Sequence, residues 1–382
     1  MNIEQAGAFE DLPQVQPRAL YIRFTGSGSE YFRIWIVNLL LSLVTLGLYL
    51  PFAKARRLRY FYSNTLVDDQ ALAFHGDPWK MFRGFLLLAL LTGAYALSGQ
   101  FSPTAGLIAF LILCAIWPAL WRSGLQFRLA NTSWRGLRLR FEGSLGGAYA
   151  ALLPTYLPAL LLVLGTALLA PDGPAQRPGT AGLTLMGLGA GLMLLLVPLT
   201  TAMIKQYQHG NYALAKQRSR LELGVGRFYL LAVKLLLWCL AYGALLSLAI
   251  GFGGLLRGAS RFWMLAVPVL SYLILYALAT PYLVASLQNM VWGATRSPAL
   301  RFHSALRLPG FTLLTVKNLL LTGLTLGLYR PFAAVSSARM RLEAVTLQAE
   351  GDLDDWAARQ ALTQPDAAGD AAGDFFGIDM GL

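Results

Sequence analysis

The sequence predicts an α-helical polytopic membrane protein. It should have about six full transmembrane helices plus two short re-entrant or spanning apolar elements, with internal repeats and a small cytoplasmic β-sheet. Three observations carry this. Of 382 residues 56% are hydrophobic and 13% charged, with a mean hydropathy of +0.53, whereas soluble domains carry about 25% charged residues. Apolar runs long enough to cross about 30 Å of hydrocarbon recur along the chain. A fifteen-residue phrase, NLLLSLVTLGLYLPF at 38–52, returns as NLLLTGLTLGLYRPF at 318–332.

The elements follow in order. Residues 1–19 are acidic, carry prolines and lack an apolar core, so they read as a tail and not a cleavable signal peptide. Residues 20–347 read as a repeat-built membrane domain with full spans near 81–98, 104–121, 148–170, 181–203, 228–253 and 262–285. Residues 348–382 are acidic and without periodicity, and read as a disordered tail.

Between the spans a unit repeats. Pro51 to Asn64, Pro118 to Asn131 and Pro198 to Asn211 are each thirteen residues apart, with Tyr60, Phe127 and Tyr207 nine residues after the prolines. A strand-like piece follows each Asn: ALAFHG, LRLRFEG and the weaker SRLEL. A fourth, ALRFHS, ends at Ser304 with its spacing slipped by two, and LYIRFTG stands unpaired before the first apolar run. Period-two alternation closing on Gly is a strand signal. Phe32, Phe82, Tyr149 and Tyr229 open the following apolar runs as interfacial anchors. Each unit supplies about one strand, so several strands should pair into a sheet on one membrane face.

The repeated phrase fits this scheme as a re-entrant or shallow element. From Phe24 to Pro51 there are only 27 residues and from Phe302 to Pro331 only 29, against 44 to 60 in the middle units. A break is expected around Thr45 to Gly47 and around Gly323 to Gly327, allowed where protein or water satisfies the backbone. An ordinary span of about 19 residues is the other reading.

Fifteen Lys and Arg, from Lys54 to Arg307, lie on the strand face, against Arg177, Arg257 and Arg261 opposite. By the positive-inside rule the strand face is cytoplasmic. The net charge of +12 is therefore an orientation and lipid-contact signal, not a nucleic-acid one.

Little points to chemistry. There is no HExxH, GxSxG, P-loop or CxxC, and Cys114 and Cys239 fall inside spans as packing residues. Gly26 to Ser29 reads as a turn into Tyr31. His75 and His303 look equivalent, as strand-end residues that would meet if their strands paired. All nineteen Asp and Glu lie outside the spans, which counts against a proton-coupled transporter. No enzyme activity, metal or cofactor is expected.

The basic-aromatic segments are the candidate sites. A helix over AKARRLRYFYSNT presents Lys54, Arg57 and Tyr60 or Phe61 along one side, an arrangement suited to an anionic headgroup. Arg56, Arg59, Arg128 and Lys205 complete the candidate contacts, with orientation charge alone as the other reading. Asn64, Asn131 and Asn211 are expected caps or turn residues. Pro51, Pro118, Pro198, Gly47 and Gly327 are expected structural repeat positions.

The stretch FTGSGSEYFRIWIVNLLLSLVTLGLYLPFAKARRLRYFYSNT with the following AFHG, RFEGS at 140–144 and the closing phrase resemble the YjgN-like family of bacterial inner-membrane proteins. The likeness covers roughly residues 20–347, and implies a multi-pass inner-membrane location without supplying an activity. Ala334 and Ser336 stand where the first copy has Lys54 and Arg56, which counts against a binding role for the C-terminal basic segment. Two functions remain open. One is a non-enzymatic component binding an anionic lipid or small solute, as a transporter or channel. The other is a scaffold docking a membrane or cytoplasmic protein partner through its strands.

Overall fold

The computed structural model describes residues 18–169, 179–215, 217–257 and 261–349; the expected tails lie outside these residues, save their inner ends. Strand β1 (Arg18–Phe24) leads into helices α1 (Gly28–Val44) and α2 (Leu50–Ser63). Then β2 (Thr65–Val67), β3 (Gln70–Ala71) and β4 (Ala73–Phe74) precede α3 (Pro78–Phe101) and α4 (Pro103–Ala130). Next come β5 (Thr132–Trp134), β6 (Leu137–Phe141), α5 (Leu145–Leu169) and α6 (Thr180–His209). They are followed by β7 (Tyr212–Leu214), β8 (Gln217–Arg218), β9 (Arg220–Leu221), α7 (Val225–Arg257) and α8 (Arg261–Gly293). Last are β10 (Thr295–Arg296), β11 (Leu300–Ser304), α9 (Leu308–Leu324), α10 (Arg330–Glu343) and β12 (Val345–Ala349). Six of the helices, α3 to α8, are long and apolar enough to cross a membrane.

The strands pair into a ring. One run of neighbours is β3-β2-β1-β12-β11-β10-β9 and the other is β4-β5-β6-β7-β8. β3 and β4 are halves of one segment split by Leu72, and β8 and β9 halves of another split by Ser219. Each split segment bonds one neighbour with its first half and the other neighbour with its second, so the two runs join at both ends. Closure depends on β12, which bonds β1 on one side and β11 on the other. The ring encloses an apolar plug of Leu20, Val67, Trp134, Leu300, Leu347 and Ala349, with Leu20 and Ala349 at 0% exposure. Alternation along β1 sends Leu20, Ile22 and Phe24 inward and Tyr21 and Arg23 outward.

Five units make this ring, and the fifth is split between the chain ends. The first residue after each ascending strand donates its N–H to a backbone carbonyl just past the end of the returning helix. The pairs are Thr25 to Asn64, His75 to Asn131, Glu142 to Asn211, Glu222 to Ala294 and Ala305 to Ala344, at 2.8–3.0 Å. Ala294 stands thirteen residues after Pro281 and Ala344 thirteen after Pro331, so all five units keep one spacing. This corrects the expected slip in the fourth unit. The likeness of ALRFHS to ALAFHG matches Phe302 to Phe74, but Ser304 holds the place of Phe74 and Phe141. His75 and His303 are therefore not equivalent and do not meet. His303 lies within β11 opposite Thr346, while His75 Nε2 lies 2.9 Å from Ser133 Oγ.

The repeated phrase encodes a helical hairpin. β1 and β2 pair directly, so the chain enters and leaves α1–α2 on the same side. The turn is identical in both copies. Leu46 and Leu326 take left-handed φ of 49° and 51°, followed by Gly47 and Gly327 at 90° and 95°. Thr45 and Thr325 bond back to Leu41 and Leu321 and receive the N–H of Tyr49 and Tyr329. Asn38 and Asn318 reach across to the Ala53 and Ala333 carbonyls, each at 3.4 Å. α1 has 17 residues, about 25 Å of helix and short of the hydrocarbon thickness. Its tip is apolar and open, with Leu46 94% exposed and Leu326 96%. With Cys114 and Cys239 replaced, a cysteine at Ser29 and one at Asp69 should both label from the same side of sealed vesicles. Labelling from opposite sides would mean that the phrase crosses.

The spans are held by small residues and tyrosines. In the α5–α6 pair a Cβ on Gly182 would stand 2.9 Å from the Gly165 carbonyl, and one on Gly165 2.7 Å from Met186 Cγ. Small residues let helix backbones approach this closely in lipid. Pro118 and Pro198 sit inside α4 and α6, where each removes a backbone bond. Tyr149 and Tyr229 donate to the Ala115 and Leu195 carbonyls, three residues before those prolines.

Candidate functional site

The cleft of interest forms where the first hairpin meets the ring. Pro51 restarts the helix after the break, and the pre-set φ of proline suits that first turn. Phe61 stacks on Phe24 with centroids 5.6 Å apart, and Tyr31 on Tyr60 at 5.3 Å, fixing α1 and α2 against β1. Tyr60 donates its hydroxyl to the Ser27 carbonyl at 2.8 Å; Ser27 itself caps α1. Burial pushes the Tyr60 phenol pKa up, opposed by the Ser27 backbone bond and reinforced by the Glu30 carboxylate.

Behind this aromatic stack lies a cleft of about 680 Å³ between α1, α2 and β3–β4. Arg33, Arg56 and Arg59 line it together with Ile34, Val37 and Phe74. The expected segment thus divides differently. Arg56, Arg59 and Tyr60 face the cleft, while Arg57 lies over the Phe61 ring at 5.8 Å and neither it nor Lys54 lines the space. Arg33 was not among the candidate contacts. Its signal is the hairpin itself, because residues about equally far from the Gly47 break on either side are brought face to face.

The five copies separate architecture from specialisation. Arg59 donates to the Gly76 carbonyl at 3.0 Å. Arg122 does the same to Gly143, Gln206 to Leu223, Asn289 to Leu306 and Arg339 to Gly26. These five clasps tie each returning helix to the start of the next unit, so Arg59 has a structural duty besides lining the cleft. Arg56 has no such counterpart, as Ser123, Met203, Ser286 and Ser336 take its place in the other units. Arg33 is matched only by Arg83. The ring does not need a guanidinium at either position.

The remaining candidates, Arg128 and Lys205, gather elsewhere. Lys205 bonds Gln208 Oε1 at 3.2 Å and lies within electrostatic reach of Arg128 and Arg341. Arg341 exchanges hydrogen bonds with Gln288 at 2.8 and 2.9 Å, and desolvation lowers its pKa. Asn64 and Asn131 are the C-caps of α2 and α4 and Asn211 follows Gly210, the C-cap of α6; all three bond their side-chain amides to the carbonyls of Tyr60, Phe127 and Tyr207. Among the described residues no group of His, Cys, Asp and Glu could hold a metal ion.

A family model described as "Bacterial protein of unknown function (DUF898)" matches residues 19–375. The chain is 34% identical over 141 residues to the inner membrane protein YjgN of Salmonella typhimurium, covering 37% of this chain and 35% of that protein. It is 29% identical over 143 residues to inner membrane protein YjgN of Escherichia coli K12, again 35% of its length. The matches thus span about a third of these relatives. No solved structure matches.

Proposed function

The chain belongs to the DUF898 family and is a multi-pass inner-membrane protein, and from that premise we propose that it binds the headgroup of an anionic lipid in the cleft of its first hairpin. The carrying observation is that Arg33 and Arg56 join Arg59 in lining one cleft, beside the apolar Ile34, Val37, Leu72 and Phe74, at positions the other units fill mostly without charge. Guanidinium groups match phosphate oxygens with bidentate hydrogen bonds. Ile34 and Val37 offer an apolar wall to the acyl chains, beside a hairpin tip whose leucines are open. Arg59 gives one N–H to Gly76 and keeps its other donors for the ligand. In this reading the ring faces the cytoplasm, following the positive-inside rule.

Two features weigh between this and the other functions. Among the described residues an apolar plug fills the ring, which favours binding over conduction along its axis. Strand addition by a protein partner needs a free edge, and among the described residues both runs of strands continue into each other.

Arg33→Gln with Arg56→Gln should release the lipid. Native mass spectrometry of gently extracted protein should find a phospholipid at stoichiometry in the wild type. In the double variant the affinity should fall at least about tenfold, the loss of one to two charge-assisted bonds. Equal retention, with normal insertion, would overturn the assignment.

A further inference from the structure

The outer wall of the ring carries a second cationic site that the architecture does not require. At each junction between units three outward-facing residues stand side by side across neighbouring strands. Between the third and fourth units they are Arg220, Arg296 and Arg301, in direct register. The other four junctions give an internal comparison. Their central residue is Leu66, Ser133, Ala213 or Thr346, in each case uncharged. At the second junction Arg140 and Arg218 also flank the centre, but Ala213 separates them. Only Arg296 places a charge in the middle and brings three guanidinium groups into consecutive register.

Like charges directly opposite one another destabilise a sheet, so folding alone gives no reason for this row. Among the described residues Glu222 supplies a counter-charge to the row. Glu222 pairs with Arg296 at 3.3 Å, both groups more than half exposed. Arg218 is anchored to the Gly210 carbonyl and the Asn211 side chain. These side chains surround a cleft of about 670 Å³ that Arg218, Arg220, Arg296, Arg301 and Glu222 line together with Ser297. Its described lining residues thus bring four guanidinium groups and one carboxylate around one concave surface.

We infer that this cleft binds a multiply charged phosphate-bearing group, recognised through Arg220, Arg296 and Arg301. Planar guanidinium forks suit phosphate oxygens and lose little entropy on binding them, and a bound anion removes the mutual repulsion of the row. The phosphate can belong to a soluble compound or to a lipid headgroup. The site is separate from the Arg33–Arg56 cleft, and either can fail without the other.

The test uses the full chain in phosphatidylcholine nanodiscs, with Arg296→Ser as the variant, since Ser133 fills the same place two units earlier. Inorganic pyrophosphate is the soluble probe, read by calorimetry and by the shift in unfolding temperature. The lipid arm compares retention of phosphatidylglycerol in mixed nanodiscs. A soluble ligand predicts pyrophosphate binding that weakens at least tenfold in the variant. A headgroup predicts unchanged pyrophosphate response but lost phosphatidylglycerol retention in the variant. In both arms the ligand-free variant should unfold at the same temperature as wild type or higher, because it removes repulsion. The inference is overturned if neither ligand distinguishes wild type from variant, or if the ligand-free variant is clearly less stable, which would make Arg296 a structural residue. Arg33→Gln with Arg56→Gln should leave the pyrophosphate response intact.

Discussion

A chain ending at Ala344 should fail to close its ring and should elute as aggregate in fluorescence-detected size exclusion. The removed strand β12 bonds two neighbours at once, pairing Leu347 with Leu20 of β1 and with Phe302 of β11. Its loss leaves two long unpaired edges, and exposed edges recruit other chains. It also strips Val345, Leu347 and Ala349 from the plug. Leu347→Asp in the full-length chain asks the same question without touching the backbone. An unpaired carboxylate in an apolar core costs several kcal/mol, against a total stability of about 5–15 kcal/mol for ordinary domains. A monodisperse peak at the wild-type volume for both variants would mean that the ring is not held shut by β12.

Trp134→Ala is the second large effect expected. Trp134 is 4% exposed and belongs to the same plug as Leu20, Val67 and Leu347. Its indole Nε1 donates to the Val67 carbonyl at 3.3 Å, linking the second unit to the first. Arg135 lies over the ring at 5.2 Å and reaches Asp68 at 2.6 Å, with Arg18 on the same carboxylate at 3.0 Å. Truncating a buried aromatic costs about 3–5 kcal/mol through lost contact and an unfilled cavity. The apparent unfolding temperature in one detergent should fall by well over 5 °C. Trp79→Ala, at a site 63% exposed, serves as the matched control and should cost less than half as much. Equal shifts would show that Trp134 is no more central than an interfacial tryptophan.

The candidate site was legible only in part. Arg56, Arg59 and Tyr60 could be found because they sit in one basic-aromatic helix. Their partner Arg33 could not be joined to them from spacing alone, since it depends on α1 folding back on α2 across Gly47. The slip expected in the fourth unit has a different cause. Local likeness between ALRFHS and ALAFHG outweighed the proline spacing, although the spacing reflects helix length and is the stronger physical constraint. The arginine row was invisible as a row, because Arg220, Arg296 and Arg301 become neighbours only when β9, β10 and β11 pair.

By itself the sequence determined the membrane location and the six spans, and it offered a turn at the centre of each repeated phrase as one of two readings, which the pairing of β1 with β2 decided. These are local matters: run length against hydrocarbon thickness, and glycines at Gly47 and Gly327 where the backbone turns left-handed. The unit repeat, too, was readable from proline and asparagine positions. Tertiary structure alone decided that the strands form a closed ring with no free edge among the described residues. Closure rests on β1 meeting β12 from the far end of the chain. No spacing encodes such a contact, because it follows from five similar units each leaving one strand edge for the next to satisfy.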